Sequence, residues 1–165
     1  MSIHNANQII DADGNVAADS SWHPFRCEKL VTFTGGTTDA WGDDGGALDG
    51  GAVFTVTGTV RMRVFAVVET DLVGAATIEL GITGSTASVL AQVANATGMD
   101  AGQIWHDATV DAKTELSSVA IDRIIANGLD IILTVGSTNI TAGAIRFFCS
   151  WIPVSEDGMV TPSNN

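Results

Sequence analysis

Residues 52–69 read AVFTVTGTVRMRVFAVVE, and the rest of the chain has to accommodate them. Phe54, Val56, Val60, Met62, Val64, Ala66 and Val68 fall on one side of an extended chain. Thr55, Thr57, Thr59, Arg61 and Arg63 fall on the other. Alternation with a period of two is the pattern of a strand with one buried face. At the rise of an extended chain the stretch spans about 55 Å, beyond an ordinary strand. Gly58 is therefore read as a bend or bulge, within one long strand or between two collinear ones. The Thr and Arg side suits a solvated face as far as Arg63. Phe65 and Val67 then make that side apolar too, so the far end is expected to be covered on both faces.

Shorter segments of the same kind flank it. Residues 29–33 (KLVTF), 75–82 and 87–93 read as strands, as do 130–135 (DIILTV), buried on both faces, and 144–153. Residues 115–126 fit neither a helical nor an extended period, and Ile104-Trp105-His106 opens a segment of undecided type. Asn127-Gly128 is a turn dipeptide. Six to eight strands separated by turn signals, with no helix of useful length, predict an all-β, antiparallel β-sandwich of jelly-roll type. Residues 1–28 are read as an extended N-terminal arm, 29–154 as the sandwich domain and 155–165 as a C-terminal tail. Residues 35–51, GGTTDAWGDDGGALDGG, form a long Gly/Asp-rich loop, of the kind that is usually functional or disordered.

Composition narrows the function. The 165 residues suit one domain. The 19 Asp and Glu against 7 Lys and Arg leave a net charge of −12, which repels phosphate backbones and argues against nucleic acid as a partner. No apolar run approaches the ~20 residues that cross a bilayer, so no membrane partner is expected. The N-terminus MSIHNANQIIDADGN lacks a basic region followed by an apolar core, so no secretory signal is expected. Cys149 alternates with Ile145, Phe147 and Trp151 and is read as core. Cys27 and Cys149 can pair only once, and free thiols are preferred because nothing indicates an oxidising compartment.

Chemistry is sparse. His4, His23 and His106 have no zinc-ligand spacing to one another or to Cys. His106-Asp107 resembles a catalytic pair, but neighbours in a strand point to opposite faces, so a structural or surface histidine is the better reading. No nucleophile elbow, CxxC, Walker or dinucleotide motif occurs. Asp11, Asp13 and Asn15 have the spacing that opens an EF-hand, but Gly14 comes too early and Trp22 stands where the last glutamate belongs. Asp43, Asp44 and Asp49 read as a solvated turn rather than a calcium site. The expectation is therefore no catalytic residues, no metal and no cofactor. Surface groups remain as candidate partner-binding residues: Ile9, Ile10, Trp22 and Phe25 as apolar anchors of the arm, Trp41 in the loop, and Arg61 and Arg63 on the long strand. Aromatics in loops are either loop anchors or interface hot spots.

The segments FTVTGTVRMRVFAVVETDL (54–72), ATIELGITGSTASVLAQ (76–92), IWHDATVDA (104–112) and NGLDIILTVGSTNITAGAIRFFCSWIPV (127–154) carry a resemblance. In texture and segment order they resemble the small acidic all-β structural proteins of tailed-bacteriophage virions, especially those that cement or decorate capsids. The resemblance implies a non-enzymatic virion component, assembled in the host bacterial cytoplasm and placed on the capsid surface. Its implied partners are the major capsid protein and copies of itself, a trimer being one such arrangement. A tail- or fibre-associated host-binding module is the alternative, and an enzyme on a β-sandwich a distant third.

Overall fold

The computed structural model describes residues 8–10 and 16–19 through their backbone, and residues 25–35, 40–46, 48–112, 114 and 121–164 in full. The strands, in chain order, are β1 (Gln8–Ile10), β2 (Val16–Asp19), β3 (Phe25–Thr34), β4 (Gly51–Thr57), β5 (Val60–Val73), β6 (Thr77–Ile82) and β7 (Ser85–Val93). They continue with β8 (Gln103–Trp105), β9 (Asp111–Ala112), β10 (Arg123–Ile125), β11 (Ile131–Gly136), β12 (Ala142–Pro153) and β13 (Met159–Pro162). One 3-10 turn, Ala96–Gly98, is the only helical element among the described residues.

The protein is all-β and β-sandwich-like, built on two antiparallel sheets. The first has the order β3-β12-β5-β8-β9, with β10 also paired to β5. The second has the order β13-β4-β11-β6-β7, and β1 and β2 make a separate antiparallel pair. The pairing is nested: β3 with β12, β4 with β11, β5 with β10, and β6 with β7. Inward residues of both sheets form one core. Val31, Met62, Ala66, Ile145 and Phe147 come from the first sheet, and Phe54, Ile78, Leu80, Ile131 and Leu133 from the second.

The stretch 52–69 is neither one long strand nor two collinear ones. Its halves are β4 and β5, in different sheets, and the chain changes sheet at Gly58-Thr59. Gly58 has φ 62°, and a Cβ there would stand 2.3 Å from Asp157 Oδ1. Only glycine makes this corner without displacing its neighbours. Backbone bonds lock the corner, with Gly128 N–H donating to Gly58 O at 3.0 Å and Val154 N–H to Thr59 O at 2.8 Å. The alternation runs through the corner unbroken because both strands turn the same parity toward one shared core.

Other boundaries also move. β3 begins at Phe25, so Phe25–Glu28, drawn above with the arm, are sheet residues; the Phe25 ring stacks on Trp151 with centroids 4.7 Å apart. β13 puts residues 159–162, drawn with the tail, on the edge of the second sheet against β4. In β11 the residues between the buried Ile131, Leu133 and Val135 are half-buried, so the strand alternates instead of being buried on both faces. Residues 103–105 are strand β8, and 123–125 of the undecided segment are β10; residues 115–120 lie outside the described set.

Gly74 is a second position that needs glycine. Its φ is 128°, and a Cβ would stand 2.2 Å from Asn139 O, a backbone atom with little freedom to move. Gly74→Ala is expected to destabilise the protein by about 1 kcal/mol or more. Urea unfolding should show a lower midpoint with an unchanged slope.

Candidate interaction surface

The outer face of the first sheet is assembled by register. Strand pairing sets its outward side chains in four transverse rows. The first is Leu30, Arg146, Val67 and Ile104; the second is Glu28, Phe148 and Phe65. The third is Arg26, Ser150 and Arg63, and the fourth is Ile152, Arg61 and Ile124. β3, β12, β5, β8 and β10 each supply this face through the residues that alternate with their core residues. Arg26, Arg61, Arg63 and Arg146 are four of the seven Lys and Arg of a chain with net charge −12.

Phe65 and Phe148 stack across the β5–β12 ladder, with centroids 5.1 Å apart and planes at 17°. Phe65 keeps 39% of its surface exposed, and Leu30 and Ile124 are exposed as well. The expectation that the far end of β5 is covered on both faces is thus not met at Phe65. The second sheet packs only on the inner side, and the outward phenylalanines cover each other instead. Aromatic pairs of this kind contribute about 0.5–1.5 kcal/mol beyond their burial.

Three of the four arginines of the face, Arg61, Arg63 and Arg146, are paired with carboxylates of the same chain. Arg146 donates from Nε to Glu69 and from Nη1 to Glu28 Oε1 at 2.9 Å, so one guanidinium joins three strands. The hydrogen bond to Glu69, with the nearby Glu28 carboxylate, raises its already high pKa. Arg63 Nε donates to Asp122 Oδ1 at 3.0 Å, and Arg61 Nε lies 3.8 Å from Asp122 Oδ2. Asp122 thereby ties the segment before β10 to β5. Paired, exposed charges contribute little to stability. They leave a face with little net charge around a stacked aromatic pair.

The other sequence candidates fall elsewhere. Ile9 and Ile10 stand in β1 and Trp22 lies outside the described residues; no side-chain contact is described for these three. Phe25 is half-buried beneath the sandwich edge, on the inner face with Trp151. Trp41 is buried in the core, so its ring anchors the loop from within. The acidic loop is stitched to the second sheet: Asp49 Oδ1 accepts from Val135 N–H at 3.0 Å, and Asn139 links Asp43 and Asp44. Among the described residues no three His, Cys, Asp or Glu side chains converge as metal ligands would. A chelator is expected to leave the thermal midpoint unchanged, whereas Asp49→Ala, which strands the Val135 amide, should cost about 1–3 kcal/mol. Calorimetry with and without chelator, and on the variant, checks both.

His106 is buried in the turn after β8. Its Nε2 lies 3.0 Å from Asp111 Oδ2, and its Nδ1 3.7 Å from Asp107 Oδ2. The adjacent Asp107 was legible in sequence; the closer partner, Asp111, comes from the turn that brings β9 back to β8. The Nε2 faces a carboxylate rather than a Ser, Thr or Cys nucleophile, and the contact closes the β8–β9 turn. At one end of the sheets, Val56–Thr59, Asn127, Gly128, Ser155 and Asp157 line an open depression of about 560 Å³. Two of its polar side chains are engaged in turns: Thr59 N–H donates to Ser155 Oγ at 2.7 Å, and Ser155 Oγ–H to Asp157 Oδ1 at 2.6 Å. No helix among the described residues is long and apolar enough to cross a membrane.

Comparison with family models, with curated proteins and with solved structures returned no match.

Proposed function

We propose that the protein is a non-enzymatic structural component of a tailed-phage virion, a capsid cement or decoration protein that binds the major capsid protein and further copies of itself. The observation that carries this reading is the outer face of the first sheet. An acidic protein concentrates its arginines and an exposed Phe65–Phe148 stack on one regular sheet face. The nested pairing supports the jelly-roll reading of the fold. The chain alternates between the sheets from β3 to β6 and again from β10 to β13, and the first and last strands of the first sheet lie side by side.

Size favours a role in many copies. The thirteen positions of the four rows cover roughly 400 Å² at ordinary strand spacings. A stable pair of proteins buries about 800 Å² on each side. One copy therefore binds modestly through this face, and a lattice of copies gains strength by multivalency. Mechanistically, each copy adds buried area across a junction between capsid subunits, so opening the junction must first expose that area.

The test is to mix purified protein with expanded empty phage heads that lack it. Saturable binding at a stoichiometry set by the capsid lattice, with raised head stability, is the expected result. Absence of binding overturns the cement reading and leaves a tail- or fibre-associated module as the next to test.

A further inference from the structure

Cys27 and Cys149 are directly opposed in the β3–β12 ladder. Both occupy inward positions: Cys149 is 2% exposed within the core, and Cys27 is partly buried against it. One inward position further along, the Phe25–Trp151 stack clamps the same two strands. Opposed residues of an antiparallel ladder have Cα atoms about 4.5–5.5 Å apart. A disulfide spans Cα separations of about 4.4–6.8 Å. We propose that Cys27 and Cys149 are a redox-closable staple between the first and last strands of the first sheet, formed by thiol–disulfide exchange with a small-molecule disulfide.

The two thiols are unequal in a way that orders the exchange. The Cys149 thiol donates to the Cys27 sulfur, which lowers Cys27 below the ordinary thiol range. The same contact, followed by burial, pushes Cys149 up. Cys27 is also the more accessible of the pair. Its thiolate attacks the external disulfide, breaking that S–S bond, forming a mixed disulfide and releasing one thiolate. Capping removes the charge on Cys27 that disfavoured ionisation of its neighbour. Cys149 then loses its proton to solvent and attacks Cys27 Sγ, expelling the second external thiolate. Two protein thiols are oxidised to one disulfide, and one external disulfide is reduced to two thiols.

The closed loop contains every strand from β4 to β11, and long loops gain most from cross-linking. The staple would form whether or not the outer face binds a capsid.

The experiment incubates the native, reduced protein with excess oxidised glutathione, then counts thiols after denaturation and maps peptides by mass. Complete loss of free thiols is expected, with a Cys27–Cys149 linked peptide and no glutathione retained. The thermal midpoint should rise and return to its starting value on adding dithiothreitol. In Cys149→Ser the exchange should stop at a glutathione adduct on Cys27. In the wild type, a stable adduct on Cys27, a link between two chains, unreacted thiols, or a bridged protein with an unchanged midpoint each overturns the proposal.

Discussion

Replacing Trp105 with alanine is expected to destabilise the protein by about 3–5 kcal/mol, the cost of deleting a buried aromatic side chain. Trp105 is fully buried and meets Phe147 edge-on, with centroids 6.0 Å apart. It stands on β8 in the first sheet, where it pairs with Ala66, yet its indole Nε1–H donates to Ala91 O on β7 in the second at 3.1 Å. One side chain therefore fills the core and joins the two sheets by a hydrogen bond, as Arg123 Nε does nearby by donating to Ser88 O on β7. Its removal leaves a cavity and a carbonyl without its donor. Against a typical total of about 5–15 kcal/mol, the loss is a large fraction of the whole stability. Trp105→Phe separates the two contributions: it keeps much of the ring and loses the N–H, so it should cost markedly less. Urea unfolding of both variants is the measurement. A shift for Trp105→Ala below about 1 kcal/mol, the cost of a typical surface change at most, would show that the core closes over the site.

The second large effect concerns binding. Phe65→Ala should leave the protein folded, because the ring is 39% exposed and lies outside the core cluster. The lost stack with Phe148 should cost only about 0.5–1.5 kcal/mol of stability. If the outer face is the surface that meets a capsid, Phe65 is its aromatic anchor, and such anchors contribute about 2 kcal/mol or more to binding. Head binding should then weaken by about 30-fold. Co-sedimentation with empty heads, alongside circular dichroism to establish folding, reads both quantities. Undiminished binding by a folded variant would remove this face from the interface. Asp122→Ala is a useful contrast, since exposed ion pairs like those of Arg61 and Arg63 contribute little, and its effect on stability should stay within about 1 kcal/mol.

Much of the strand content was legible because alternation is local: each residue of a strand faces inward or outward according to its own position. Residues 52–69 show both the strength and the limit of that signal. Their parity correctly separated Phe54, Val56, Met62 and Val64 from the Thr and Arg between them. It carried no sign that the two halves lie in different sheets, because strands facing a shared core from opposite sides repeat the same parity. Gly58 marked the place of the change, but a bend and a sheet crossing call for the same residue.

Pairings were the least legible part. Asp107 was the visible partner of His106 by adjacency, whereas Asp111 meets the ring more closely because the chain reverses between β8 and β9. Trp41 in a Gly/Asp loop resembled a free aromatic until the packing of that loop put it in the core. Arg61 and Arg63 were recognised as neighbours on one face, but their shared carboxylate, Asp122, arrives from a segment whose type the periodicity left open.

By itself, the sequence determined that this is an all-β protein with a strongly acidic charge and an alternating core, since composition and local parity are properties of the chain. Tertiary structure alone decided that Cys27 meets Cys149, that β4 and β5 part company at Gly58, and that Phe65 and Phe148 share an exposed face among arginines. The physical reason is register. Which residues oppose one another across a ladder depends on the turns and core contacts of the whole chain, and a slip of one residue would turn every one of these side chains to the other face.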